Sequence, residues 1–174
     1  MSEPQTISDF MLDHIVFWGI AQNSTLVETQ SLYPDMPTPI RTVVTRIKIV
    51  EDYGQYLPSE ITIEAAPQLG GNCGASPSIG ALEFWAAWRS EDGTFRTSTC
   101  TSVPSFKLVL DYLRTGRDAL VDPRIDCDII TADADPLLTQ SEDMRVCEAM
   151  GEEWTLSNKE RRRLYDEMRA RELP

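Results

Sequence analysis

Four cysteines, one histidine and twenty-eight carboxylates are the side chains of this 174-residue chain best suited to chemistry. The cysteines stand at Cys73, Cys100, Cys127 and Cys147. None belongs to a Cys-x-x-Cys pair and no histidine is near, so the spacing does not form a zinc site. Four cysteines allow three disulfide connectivities. Pairing by segment gives Cys73–Cys100 and Cys127–Cys147; the alternative is four free, buried, small apolar residues. His14 opens an apolar stretch beside Asp13, which brings an Asp-His pair to mind. No serine or cysteine can be placed next to it, and a satisfied structural histidine is the expected role. Asp126, Asp128, Asp133 and Asp135 alternate around Cys127 as in a calcium loop. The glycine and distal glutamate of that loop are missing, so a solvated acidic loop is expected. Leu69-Gly70-Gly71-Asn72-Cys73-Gly74 lacks the Lys-Ser/Thr ending of a phosphate loop and opens no helix. No catalytic residue, metal site or cofactor is assigned.

Charge removes further classes. Sixteen basic against 28 acidic residues leave a net charge of −12 and a pI near 4.5. A phosphate-reading surface needs a basic patch, so nucleic acid is not an expected partner. Anionic membranes are opposed for the same reason. The acidity is concentrated: residues 118–153 hold eleven acids and two bases. Arg161-Arg162-Arg163 is offset by Glu160, Asp166 and Glu167 and reads as a salt-bridged helix surface. The apolar stretch Phe10–Ala21 is interrupted by Asp13 and His14. It lacks a basic flank and is too short to span a bilayer, so neither a leader nor membrane insertion is expected of it.

The elements that would position these residues are mainly β. Thr6–Leu12 predicts a short helix, capped by Thr6 or Ser8. Ile15–Ala21 predicts a first strand, and residues 22–39, with Pro34, Pro37 and Pro39, a long loop. Arg41–Val50 predicts a second strand with Val43, Ile47 and Ile49 on one face. Ser59–Ala65 predicts a third, with Ile61 and Ile63 inward. Ala81–Arg89 is the fourth; Leu82, Phe84, Ala86 and Trp88 line one face, and Glu83, Trp85, Ala87 and Arg89 the other. One of Trp85 and Trp88 is therefore expected at the surface. Trp18 and Trp154 complete the set of aromatic anchors available to core or binding face. Glu91-Asp92-Gly93 signals a hairpin into a fifth strand, Thr94–Thr99. Phe106, Val109, Leu110 and Leu113 recur at helical spacing, with Gly116 as the stop. Thr139 with Glu142 predicts a short helix ending at Gly151, and Ser157 with Glu160 a final helix to about Glu172.

Five strands with flanking helices suggest a Greek-key barrel of the oligonucleotide/oligosaccharide-binding (OB) type, with a C-terminal loop and helix extension. Residues 1–116 form the barrel unit in this reading and 117–174 the extension. Three segments sharpen it. Asp13-His14-Ile15-Val16-Phe17-Trp18-Gly19 resembles the entry strand of netrin-like domains. Asn72-Cys73-Gly74 followed by Gly80-Ala81-Leu82-Glu83-Phe84-Trp85-Ala86-Ala87 resembles that family's Cys-Gly and aromatic strand segment. Asp92-Gly93 with Thr97-Ser98-Thr99-Cys100 resembles its closing hairpin. This is the fold of tissue inhibitors of metalloproteinases and their bacterial relatives.

The resemblance implies a secreted or periplasmic protein whose leader has been removed, with oxidised cysteines. In the animal inhibitors an N-terminal Cys-x-Cys pairs with two later cysteines, matching Cys73 and Cys100, and ligates the protease zinc. Met1-Ser2-Glu3-Pro4 holds no cysteine, so that route to zinc is closed. Cys73 and Cys100 would then pair with each other or stay free; closing such a loop contributes on the order of 3 kcal/mol. The resulting expectation is a non-enzymatic module that binds another protein, in the manner of a protease inhibitor lacking the chelating cysteine. The alternatives are a small hydrolase using carboxylates with His14, and an oligosaccharide-binding barrel.

Overall fold

The structure, a computed structural model, describes residues 6–29, 39–67, 74–75, 77–98, 104, 106–119 and 142–172, with side chains of the last segment from Thr155 onward. Alternation of β-branched and aromatic residues builds five strands: β1 (His14–Thr29), β2 (Ile40–Glu51), β3 (Glu60–Ala65), β4 (Leu82–Arg89) and β5 (Phe95–Arg96). They close into a barrel in the order β1-β2-β3-β5-β4, returning to β1. All pairings are antiparallel except β3 with β5. The expected mainly β, five-stranded, OB-like barrel with flanking helices is thus present.

One face of each long strand fills the barrel. Phe17, Ala21, Ile47, Ile61, Ile63, Trp85 and Ala87 form the core, with Ile15, Ile49, Leu57 and Phe95 packed against it. Phe17 and Trp85 face each other across the β1–β4 ladder. The Trp85 indole N–H also donates to the Gly19 carbonyl at 3.3 Å. Gly19 is required by space: a Cβ there would stand 2.6 Å from Ile47 Cγ2 and 2.9 Å from Phe17 Cε2. On the opposite face Trp18 packs on Phe84, with ring centroids 5.5 Å apart. Neither Trp85 nor Trp88 is exposed, against the expectation for one of them; Trp85 is buried and Trp88 half-buried.

Two predicted strand boundaries move. β1 does not stop at Ala21 but runs to Thr29, because residues 23–29 pair with the start of β2. The prolines that signalled a loop lie beyond that pairing, and Thr25, Val27 and Thr29 are β-branched. β5 shrinks to two residues, wedged between β3 and β4. The Thr97 amide and hydroxyl still bond the Glu64 and Ala86 carbonyls at 3.0 and 2.8 Å, holding the chain there.

Helix α1 (Ile7–Asp13) starts at the Thr6 cap, whose hydroxyl lies 3.2 Å from the Asp9 amide. α2 (Phe106–Thr115) buries Phe106, Val109 and Leu110 and stops before Gly116, whose φ is +69°. α3 (Glu142–Glu172) is one continuous helix, not two. A single interior glycine costs only about 1 kcal/mol, and the Glu, Met and Arg residues around Gly151 favour the helix. Ser157 consequently lies inside it and caps nothing.

Contacts divide the chain into two units, Phe10–Thr101 and Met1–Asp9 with Ser102–Pro174. In the second, the Asp118 carboxylate accepts the Ser8 amide at 3.0 Å and its hydroxyl at 2.6 Å. The buried Glu160 holds Arg163 through two bonds of 2.7 and 3.1 Å, and Arg114 approaches it to 3.7 Å. The hydrogen bond to Glu160, supported by Glu167, keeps the Arg163 pKa above its ordinary value.

Candidate functional site

His14 serves the fold. Its Nδ1 stands 3.0 Å from the Phe10 carbonyl, which can only accept, so Nδ1 carries the proton. The ring stacks on Phe10 with centroids 4.1 Å apart. That arrangement orients an imidazole across the α1–β1 junction and leaves Asp13 exposed. Cys73, Cys100 and Cys127 lie outside the described residues, as do Asp126, Asp128, Asp133, Asp135 and the glycine-rich turn up to Cys73. Cys147 falls in α3, in the part whose side chains are not described. Both expected disulfides therefore fall outside the described residues too. Among those residues no three His, Cys, Asp or Glu side chains gather as metal ligands would. No described helix is long and apolar enough to cross a membrane.

Among the described residues the most pre-organised exposed feature is the β2–β3 loop. Asp52 makes it. One carboxylate oxygen accepts the Gly54 amide at 3.0 Å and the other the Leu57 amide at 2.8 Å. Gln55 binds the rim of β1: its side-chain oxygen accepts the Val16 amide at 3.2 Å and its side-chain nitrogen donates to the Val16 carbonyl. The same nitrogen donates to the Asp52 carbonyl at 2.7 Å. The Trp18 indole N–H donates to the Tyr53 hydroxyl at 2.9 Å, and Glu51 accepts the Tyr53 amide at 2.9 Å. Within this frame two tyrosines adopt left-handed backbone, Tyr53 at φ +52° and Tyr56 at φ +59°. That region is costly for a bulky side chain, on the order of 1 kcal/mol or more each.

Tyr53 gains a hydrogen bond from its position. Tyr56 is 95% exposed, its ring held away from the barrel. A strained, rigidly framed and exposed tyrosine is suited to fill a pocket on a partner. Its ring supplies apolar area and a hydroxyl while losing little rotamer freedom.

At the other end of β2 lies a different surface. Residues 23–29 of β1 and 40–46 of β2 form a ribbon that β3 joins along Val43–Arg46 and that is two-stranded beyond, at Val27–Thr29 and Ile40–Thr42. Gln22 is the extra residue at a register shift, which re-aims the strand as it leaves the barrel. Ser24 and the buried Thr45 share a hydrogen bond of 2.7 Å at the ribbon's base. Leu26, Val27 and Ile40 are exposed along it.

Sequence patterning pointed to neither surface. The β1 half of the ribbon fell in the segment read as loop, while residues 41–46 lay in the expected second strand, and Tyr56 followed an Asp-x-Gly turn cue at Asp52 and Gly54 that was the only available signal. Neither a protein-family model nor a curated protein matches the chain.

Proposed function

We propose that this chain is a non-enzymatic protein-binding module of the secreted or periplasmic type, and that Tyr56 anchors its partner. The observation that carries the reading is the β2–β3 loop, where Asp52 and Gln55 fix a backbone that holds Tyr56 at φ +59° and 95% exposed. A fold gains nothing by straining a tyrosine that stands in solvent; a binding surface does. The OB-like barrel is also the architecture implied by the netrin-like sequence segments. A protease-inhibitor-like use would then act through this loop and not through an N-terminal cysteine.

The direct test places a photo-reactive benzoylphenylalanine at position 56 in cells that produce the protein. One cross-linked species should form, competed by excess wild-type protein and not by Tyr56→Ala. Equal competition by the two, or equal cross-linking from the exposed position of Ile79, would overturn the reading. The compartment is tested separately by intact mass with and without reduction. Two disulfides support export, and four free thiols exclude it.

A further inference from the structure

The outer edge of β1 points to a second copy of this chain. From Asn23 to Thr29 β1 pairs with β2 on one side only, whereas from Trp18 to Ile20 it pairs with β2 on one side and β4 on the other. Alternate amides and carbonyls along the outer edge therefore have no strand partner among the described residues. Natural sheets protect such edges with lysine, proline, bulges or short strands. Residues 23–29 hold no lysine and no proline, and their register with β2 is unbroken from Asn23 to Thr29. Their one charge, Glu28, is paired with Arg41 at 2.7 Å. Both arginines of the ribbon are paired, Arg41 with Glu28 and Arg46 with Glu60 of β3 at 3.3 Å, so little net charge opposes association there on a chain of −12.

We propose that two copies join antiparallel along this edge, with the two-fold axis through Leu26. The axis must stand perpendicular to the sheet, which keeps corresponding faces of both ribbons on the same side. Each residue must then meet one from its own face, so an even-numbered residue meets an even-numbered one. The register centred on Leu26 satisfies this. Leu26 opposes Leu26 of the second copy, Thr25 opposes Val27, Ser24 opposes Glu28 and Asn23 opposes Thr29. Apolar meets apolar, β-branched meets β-branched, and each remaining pair can hydrogen-bond. Because Leu26 already faces Val43, and Val43 faces Ala65 of β3, one row reads Ala65–Val43–Leu26–Leu26–Val43–Ala65 across six strands. The 53% exposure of Leu26 is thereby explained. A strand from an unrelated protein would find the edge equally open, but this symmetric match of every opposing pair is specific to a second copy.

The inference is independent of the role given to Tyr56. Light scattering across a dilution series should show a monomer–dimer equilibrium for the purified chain. Leu26→Lys places like charges directly opposite each other and should raise the dimer dissociation constant by at least about tenfold. Tyr56→Ala should leave it unchanged. Leu26→Cys under mild oxidation should yield a disulfide joining position 26 of one copy to position 26 of the other. Mass spectrometry of the linked peptide should find it far above the corresponding link from Ile79→Cys. A monomer at every concentration overturns the proposal. So does a dimer indifferent to Leu26→Lys, and so does cross-linking from position 26 to another protein alone. Loss of the Tyr56 cross-link with the dimer intact would fail the functional reading and leave this one standing.

Discussion

The two ends of β2 expose side chains for opposite physical reasons. At Glu51 the chain enters a loop in which Asp52 and Gln55 bind nearly every turn of the backbone, and the Tyr56 ring stands out from that frame. At Ile40 the chain belongs to a ribbon whose side chains are largely exposed and whose outer β1 edge has no strand partner among the described residues. The first surface is stiff and offers one aromatic anchor. The second is a repeating backbone template with small apolar groups. From Val43 to Glu51 the strand itself sets them roughly 25 Å apart at about 3.3 Å per residue. Hydrogen bonding decides the contrast: the loop satisfies its own polar groups and presents a side chain, whereas the outer edge of β1, with no strand partner among the described residues, presents its backbone.

The largest effect on this contrast should come from Asp52→Ala. It strands the Gly54 and Leu57 amides and removes the frame of the loop, at a cost of about 2 kcal/mol in urea unfolding. It should also release Tyr56 and abolish its cross-link; an unchanged cross-link would show that the frame is irrelevant to binding. Gly19→Ala tests the barrel from which both surfaces project. Overpacking against Ile47 and Phe17 should cost about 1–3 kcal/mol by the same measurement. Tyr56→Gly should move in the other direction, leaving stability unchanged or raising it by up to about 1 kcal/mol as the left-handed strain is relieved. Loss of binding without loss of stability is the signature of a residue kept for function. Leu26→Lys should change monomer stability by less than about 0.5 kcal/mol, since the site is exposed, while it disrupts the dimer.

A smaller effect lies at low pH. Hydrogen bonds from Ser8 hold Asp118 below the usual carboxylate pKa, and bonds from Thr94 do the same for Asp92. A depressed folded pKa contributes stability that is present above the unfolded value and lost as pH falls through the folded one. Asp118→Asn should therefore flatten the acid limb of a stability–pH curve. A limb of unchanged slope would assign the acid sensitivity to other carboxylates.

Much of the barrel was legible in the sequence because its signals are local. Alternation at Ile61 and Ile63, the Asp92-Gly93 turn and the spacing of Phe106, Val109 and Leu110 each point to their own element. The misread segments are those where distant pairing decided. Residues 22–29 became strand because β2 lies beside them, and β5 ended at Arg96 because its ladders with β3 and β4 are only two residues long. Gly151 failed as a stop because its helical flanks outweigh it.

The sequence by itself determined the strand number, the helices at each end, the inward faces of β2 and β3 and the acidity of the chain. Periodicity and composition are properties of neighbours along the backbone, and no folding is needed to read them. Only the tertiary structure decided that β1 carries an edge with no strand partner among the described residues, that neither Trp85 nor Trp88 is exposed, and that Tyr56 stands exposed in a left-handed conformation. Exposure, edge pairing and backbone strain depend on which residues are brought together from far along the chain, and no single segment encodes that.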